Sequence, residues 1–83
     1  AGMSKFPQVM INVRVARRVD PATVPAIAAA VERVQARLGP DGRVVLRASG
    51  TEPVIRVMVE GRDAALANAS ASELAEAVRR AID

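Results

Sequence analysis

The sequence predicts an α+β domain with a mainly antiparallel sheet of three to four strands and two helices on one face of that sheet. Three short stretches alternate apolar and polar residues with a period of two, which is typical of half-buried strands. Two longer stretches carry apolar residues at helical spacing, which is typical of amphipathic helices. Their order is strand, helix, strand, strand, helix, and this order favours an α+β arrangement.

The first strand is predicted over residues 9–15, and the first helix follows it. The inward positions of the strand are Val9, Ile11, Val13 and Val15. Asp20-Pro21 marks the approach to the helix, but Pro25 would break an intrahelical hydrogen bond if the helix began at Pro21. The sequence therefore predicts a start near Thr23. The apolar stripe of this helix is Val24, Ile27, Ala28, Val31, Val34 and Leu38, and Gly39-Pro40 ends it.

The second and third strands are predicted over Arg43–Ala48 and Val54–Glu60, with a polar loop between them. Asp63 is a suitable N-cap for the last helix. The apolar stripe of that helix is Ala67, Ala71, Leu74, Val78 and Ile82. By alternation, the sheet face away from the helices carries Asn12, Arg14, Arg43, Arg47 and Arg56.

The whole chain, residues 1–83, fits a single small domain, in which residues 1–7 show no period and are interpreted as the end of an interdomain linker. The apolar residues are mostly Ala and Val, and Phe6 is the single aromatic residue. Small side chains bury little area per residue, so we expect neighbouring domains to help cover this one.

The composition excludes several kinds of site. The chain has no cysteine and no histidine, which removes disulfides, thiolate catalysis and the commonest general base and metal ligand. We expect no catalytic residue and no metal site in it. No apolar run is long enough to span a bilayer, so we expect a cytoplasmic protein without a membrane partner. The net charge of +3 is scattered along the chain, unlike the basic stripe expected of nucleic-acid binders.

A candidate anion site lies on the hairpin formed by the second and third strands. Arg47 and Arg56 flank the loop on the same face, and Ser49-Gly50-Thr51 offers two hydroxyl groups and a glycine able to take positive φ. Arginine matches two phosphate oxygens at once, and successive N–H groups of a turn can form an anion-binding concavity. By this chemistry alone, a phosphate cradle and an ordinary polar turn are equally good interpretations.

Glu52 is the one carboxylate in this loop, and its role stays open. A carboxylate repels phosphate, so Glu52 is expected to pair with an arginine, orient the loop or meet a cationic substrate group. A lone carboxylate is also a conceivable general base, but no second acid or histidine supports that role.

The segment GRVVLRASGTEPVIRVMVEG, from Gly42 to Gly61, resembles the last domain of the α-D-phosphohexomutases, and most of all their phosphoglucosamine mutase branch. The opening segment FPQVMINVR, from Phe6 to Arg14, resembles the first strand of the same domain. With the order of elements, the resemblance covers nearly the whole chain.

The resemblance implies that the chain is the C-terminal domain of an enzyme that interconverts glucosamine 6-phosphate and glucosamine 1-phosphate for bacterial cell-wall amino sugars. The preceding domains would supply a phosphoserine and the Mg²⁺ site, and this domain would bind the phosphosugar by the phosphate that is not transferred. The residues implied as phosphate ligands are Arg47, Ser49, Gly50, Thr51 and Arg56.

Two other functions stay open from the sequence. A small α+β domain can act alone as a regulatory module that binds a small ligand. A nucleic-acid-binding module using the arginine-bearing face is the other, although that face lacks the aromatic residues on which single-stranded binders stack bases.

Overall fold

The computed structural model describes residues 6–82, and within them a three-stranded antiparallel sheet packs against two helices. The strands are β1 (Gln8–Arg14), β2 (Arg43–Ala48) and β3 (Val54–Glu60). The helices are α1 (Pro25–Leu38) and α2 (Ala64–Ala81). The sheet order is β1-β3-β2, so β3 lies in the centre. The predicted α+β fold and its order of elements are confirmed.

The core lies between one face of the sheet and the two helices. The alternation read from the sequence is confirmed at the central strand, where Ile55, Val57 and Val59 are almost fully buried. The predicted stripe of α2 is also buried at every position, namely Ala67, Ala71, Leu74, Val78 and Ile82. The opposite face of the sheet carries no helix within residues 6–82, and it presents the polar side chains of the strands.

The start of the first helix differs from the prediction. A short 3₁₀ turn spans Pro21–Thr23, and α1 begins at Pro25 rather than near Thr23. A proline fits the first position of a helix, because its N–H would have no intrahelical partner there and its φ is already helical. The apolar stripe is also shifted, since Ala30 is buried and Ala28 is exposed.

The start of α2 and the end of α1 agree with the sequence prediction. The Asp63 carboxylate accepts hydrogen bonds from the N–H groups of Ala65 and Leu66 at 2.9 and 3.4 Å, which caps α2. Gly39 follows α1 with φ of 79° and ψ of −167°, a combination that is essentially restricted to glycine.

The predicted linker, residues 1–7, mostly falls on residues 1–5, which lie outside the described residues. Phe6 and Pro7 contact the domain. The Gly61 N–H donates to the Pro7 carbonyl at 3.1 Å, and the Arg62 guanidinium lies 5.8 Å from the centre of the Phe6 ring. These contacts attach the start of the described chain to the end of β3.

Candidate functional site

A row of polar side chains crosses the open face of the sheet near the β2–β3 loop. In the strand register Arg47 of β2 lies directly opposite Arg56 of β3, and Asn12 of β1 lies opposite Arg56 on its other side. All three residues are exposed. The antiparallel pairing therefore brings two guanidinium groups and one amide to neighbouring positions on one surface.

The two arginines of this row have no carboxylate partner. Within residues 6–82, the guanidinium groups of Arg47 and Arg56 form no ion pair and no hydrogen bond. Four other arginines each pair with an acidic residue, namely Arg33, Arg37, Arg62 and Arg79. Like charges that are directly opposed on neighbouring strands destabilise a sheet. The site is thus a local concentration of positive charge that an anion would neutralise.

The loop between the strands is closed by its own hydrogen bonds. The Ser49 N–H donates to the Val54 carbonyl at 2.9 Å, and the Val54 N–H donates to the Glu52 carbonyl at 2.7 Å. The Ser49 hydroxyl oxygen accepts from the N–H groups of Thr51 and Glu52, both at 3.3 Å. The sequence suggests that N–H groups of this turn line an open concavity. Instead, these two N–H groups converge on the Ser49 hydroxyl oxygen. The Ser49 hydroxyl hydrogen stays available to donate.

Gly50 does not use the freedom for which a glycine was expected in this loop. Among the described residues Gly39 is the one glycine with positive φ, so Gly50 adopts a backbone conformation open to other residues. A Cβ added at Gly50 would meet no atom within 4 Å. Neither the backbone nor the packing of the described residues explains the missing side chain.

A surface depression of about 320 Å³ joins part of the predicted site. Arg47, Ser49 and Arg56 line it together with Asn12 and Glu52. Gly50 and Thr51 are exposed and adjoin it without lining it. The Glu52 carboxylate forms no ion pair with an arginine in the described chain, so the first of its three expected roles is not observed.

Two further residues of the site were not singled out from the sequence as ligands. Asn12 enters through the register of β1 on β3, which the sequence does not specify. Arg18 lies beyond β1, and its Nη2 donates to the Gly50 carbonyl at 2.6 Å. The signal that points to Arg18 is topological, because an antiparallel β1 delivers the residues that follow it to the sheet end where the loop lies.

The part of the chain that is described, residues 6–82, brings together no three acidic, histidine or cysteine residues that could hold a metal ion. None of its helices combines the length and the apolar character needed to cross a membrane.

Comparison with known proteins places the chain among domains of sugar-phosphate enzymes. The model of the family described as "Phosphoglucomutase/phosphomannomutase, C-terminal domain" matches residues 10–77. The phosphoglucosamine mutase of Aliivibrio fischeri is 55% identical over 78 residues, which are 94% of this chain and 18% of that enzyme. The phosphoglucosamine mutases of Cellvibrio japonicus and Methylococcus capsulatus are each 54% identical, over 81 and 80 residues. The chain thus spans about a fifth of the length of these relatives.

Solved structures show the same fold. Aspergillus fumigatus N-acetylphosphoglucosamine mutase in complex with GlcNAc-6P and magnesium superposes with a TM-score of 0.80 at 31% identity, over 96% of this chain and 16% of that one. A structure of the same fungal enzyme in complex with glucose 1,6-bisphosphate gives a TM-score of 0.74 at 32% identity, over 93% of this chain and 16% of that one.

Proposed function

Since the chain belongs to the family of phosphoglucomutase and phosphomannomutase C-terminal domains, we propose that it is the phosphate-holding domain of a longer phosphoglucosamine mutase. That cytoplasmic enzyme would interconvert glucosamine 6-phosphate and glucosamine 1-phosphate. In this proposal, the other domains of the longer enzyme would hold its Mg²⁺.

One observation carries the proposal more than any other, namely the uncompensated pair formed by Arg47 and Arg56. Two guanidinium groups without carboxylate partners present planar sets of N–H donors on one surface. A phosphate dianion supplies two negative charges and several acceptor oxygens, so it matches the pair in both charge and hydrogen-bonding capacity.

The loop adds donors of a second kind. The Ser49 oxygen accepts two backbone N–H groups, which polarises the hydroxyl so that it donates its own hydrogen to a phosphate oxygen more readily. The exposed Thr51 hydroxyl is a second donor, and Gly50 lets the ligand approach the backbone. In this arrangement the domain holds the phosphate that is not transferred.

A site built mainly around phosphate donors suits a mutase. Such an enzyme must hold either phosphate end of its sugar in the same place, because the bisphosphate intermediate turns round between the two half-reactions. A site that recognises phosphate and little else accepts both orientations. Closure of a terminal domain over the substrate would also exclude water from the phosphoryl transfer.

Phosphate binding by the 83-residue chain is tested by titrating inorganic phosphate while recording backbone amide spectra. We expect saturable shifts confined to residues near 47–56. Arg47→Gln should weaken the affinity about tenfold or more, because it removes a charged hydrogen-bond donor. Glu52→Gln should strengthen it, because a negative charge leaves the rim of the depression. Arg43→Gln, on the same face but at the far end of β2, is the matched control. An equal loss in Arg43→Gln would reject the site.

The enzyme assignment is tested in a chimera. The matching 78 residues of the Aliivibrio fischeri enzyme are replaced by those of this chain, and interconversion of the glucosamine phosphates is measured. We expect an active chimera whose kcat/KM falls when it also carries Arg47→Gln. A folded but inactive chimera, made from a chain that binds phosphate normally, would refute the assignment while leaving the phosphate site intact.

A further inference from the structure

The segment that follows β1 contacts the loop at two points. The Val15 N–H donates to the Pro53 carbonyl at 2.8 Å, near the foot of the loop. Arg18 lies three residues further on, and its Nη2 donates to the Gly50 carbonyl at 2.6 Å, near the tip. Arg18 is exposed, and it makes no ion pair with an acidic residue in the described chain. The segment 15–18 therefore braces the loop from outside the hairpin.

The hydrogen bond to Gly50 fixes the orientation of one peptide group. The Gly50 carbonyl and the Thr51 N–H belong to the same planar trans peptide, so they point in opposite directions. With the carbonyl oxygen held by Arg18, the Thr51 N–H is directed to the Ser49 hydroxyl oxygen at 3.3 Å. One side of this peptide is therefore occupied by Arg18 and the other by Ser49.

This peptide is the part of the loop that is easiest to turn over. Gly50 has access to a wide range of φ and ψ, and a Cβ at this position would meet nothing, so little in the chain opposes a rotation. The peptide that follows is anchored, because the Glu52 N–H donates to the Ser49 hydroxyl oxygen at 3.3 Å. A turned peptide would direct the Gly50 oxygen towards Ser49, where a partial negative charge repels a phosphate.

We propose that Arg18 is a positioning residue for the anion loop. Its guanidinium keeps the Gly50 carbonyl turned away from the phosphate, so that the Thr51 N–H stays bonded to the Ser49 oxygen and the Ser49 hydroxyl hydrogen is left to donate to the ligand. The proposal rests on the proposed phosphate-binding function. Arg18 lies outside the hairpin, and it would affect the ligand indirectly, by fixing the orientation of the Gly50–Thr51 peptide.

The test compares Arg18→Ala with Arg17→Ala in the 83-residue chain. Arg17 is the adjacent exposed arginine and forms no hydrogen bond or ion pair in the described chain, so its removal changes the net charge equally without touching the loop. We expect Arg18→Ala to weaken inorganic phosphate affinity about three- to tenfold and Arg17→Ala to change it less than twofold. Both variants should melt within a few degrees of the original chain.

A second readout follows the peptide itself, in the absence of phosphate. The ¹³C shift of the Gly50 carbonyl and the ¹⁵N shift of Thr51 report the hydrogen bond, and both should move in Arg18→Ala but not in Arg17→Ala. Unchanged shifts, or equal losses of affinity in the two variants, would overturn the role of Arg18. If the original chain binds no phosphate, the proposed function fails, and a positioning role for a phosphate loop fails with it, whatever the shifts show. If phosphate binds, the two variants alone decide the role of Arg18.

Discussion

Arg47 of β2 and Arg56 of β3 are directly opposed across the sheet, and neither guanidinium has a carboxylate partner within residues 6–82. Directly opposed like charges cost a sheet a few tenths to about 1 kcal/mol. The repulsion between the two guanidinium groups therefore lowers the stability of the domain. A bound anion offsets that cost, and this links occupancy of the site to the stability of the domain.

Arg56→Gln should raise the free energy of unfolding by about 0.5 kcal/mol in buffer without phosphate, because it relieves the repulsion from Arg47. The measurement is urea-induced unfolding followed by circular dichroism. Arg43→Gln is the control, since Arg43 lies opposite Glu60 and its loss should lower stability. Phosphate should stabilise the original chain more than Arg56→Gln. A lower stability of Arg56→Gln in phosphate-free buffer would contradict the interpretation of the pair as repulsive.

Gly50→Ala should change phosphate affinity without lowering the stability of the fold. A Cβ at Gly50 meets nothing and the φ is not positive, so stability should stay the same or rise by up to about 1 kcal/mol. Phosphate affinity should fall, because the methyl group occupies the approach to the loop. Gly39→Ala is the comparison at a glycine that the backbone does require. It should lower the free energy of unfolding by about 1–3 kcal/mol, since Gly39 has φ of 79°. Undiminished phosphate binding by Gly50→Ala would show that the ligand does not approach the loop there.

The fold follows from the sequence because its signals are local. Alternation at Val54–Glu60 and the cap at Asp63 each act within a few residues, and both are observed as predicted. The sequence predicts a start of α1 near Thr23, which leaves Pro25 inside the first turn, whereas the helix begins at Pro25 itself, where a proline is favourable. Local patterns allow both interpretations of such a proline, and the preceding 3₁₀ turn decides between them.

The sequence groups candidate site residues only where they share the hairpin, and their role as phosphate ligands stays a prediction. Arg47, Ser49 and Arg56 are linked by the short loop, and all three line the depression. Asn12 lines the depression because β1 pairs with β3, and Arg18 contacts the Gly50 carbonyl because of the path of the chain beyond β1. Such long-range placement depends on tertiary packing, and a single sequence carries little information about it.

Ser70→Ala should stabilise the domain. Ser70 is fully buried in α2, and its hydroxyl has no hydrogen-bond partner within the described residues. Replacement by alanine removes an unsatisfied polar group and improves helix propensity, so we expect a gain of about 1 kcal/mol in the free energy of unfolding. Ser72→Ala, at an exposed position of the same helix, should gain about 0.5 kcal/mol or less from propensity alone. Equal gains in thermal or urea unfolding would imply that the Ser70 hydroxyl is satisfied.

Glu73 of α2 connects the two helices through two arginines of α1. Arg37 Nη1 lies 2.7 Å from one carboxylate oxygen, and Arg33 Nε lies 3.3 Å from the other. The hydrogen bond from Arg37, assisted by Arg33, holds the pKa of the Glu73 carboxyl below its ordinary value. The same hydrogen bond raises the pKa of Arg37. Glu73 is therefore a source of pH-dependent stability.

Glu73→Gln tests this dependence by its sign. The pKa of Glu73 is lower in the folded than in the unfolded state, so the bridge stabilises the fold fully above the unfolded value, about 4.3 for a free glutamate. Its contribution is lost as the pH falls through the lowered folded value. The melting temperature of Glu73→Gln should therefore lie below that of the original chain at pH 7, and the two should converge in strong acid. Glu76→Gln, whose partner Arg79 lies on the same helix, is the control and should give a smaller difference at pH 7. A difference for Glu73→Gln that persists at low pH would show that the carboxylate charge is not what connects the helices.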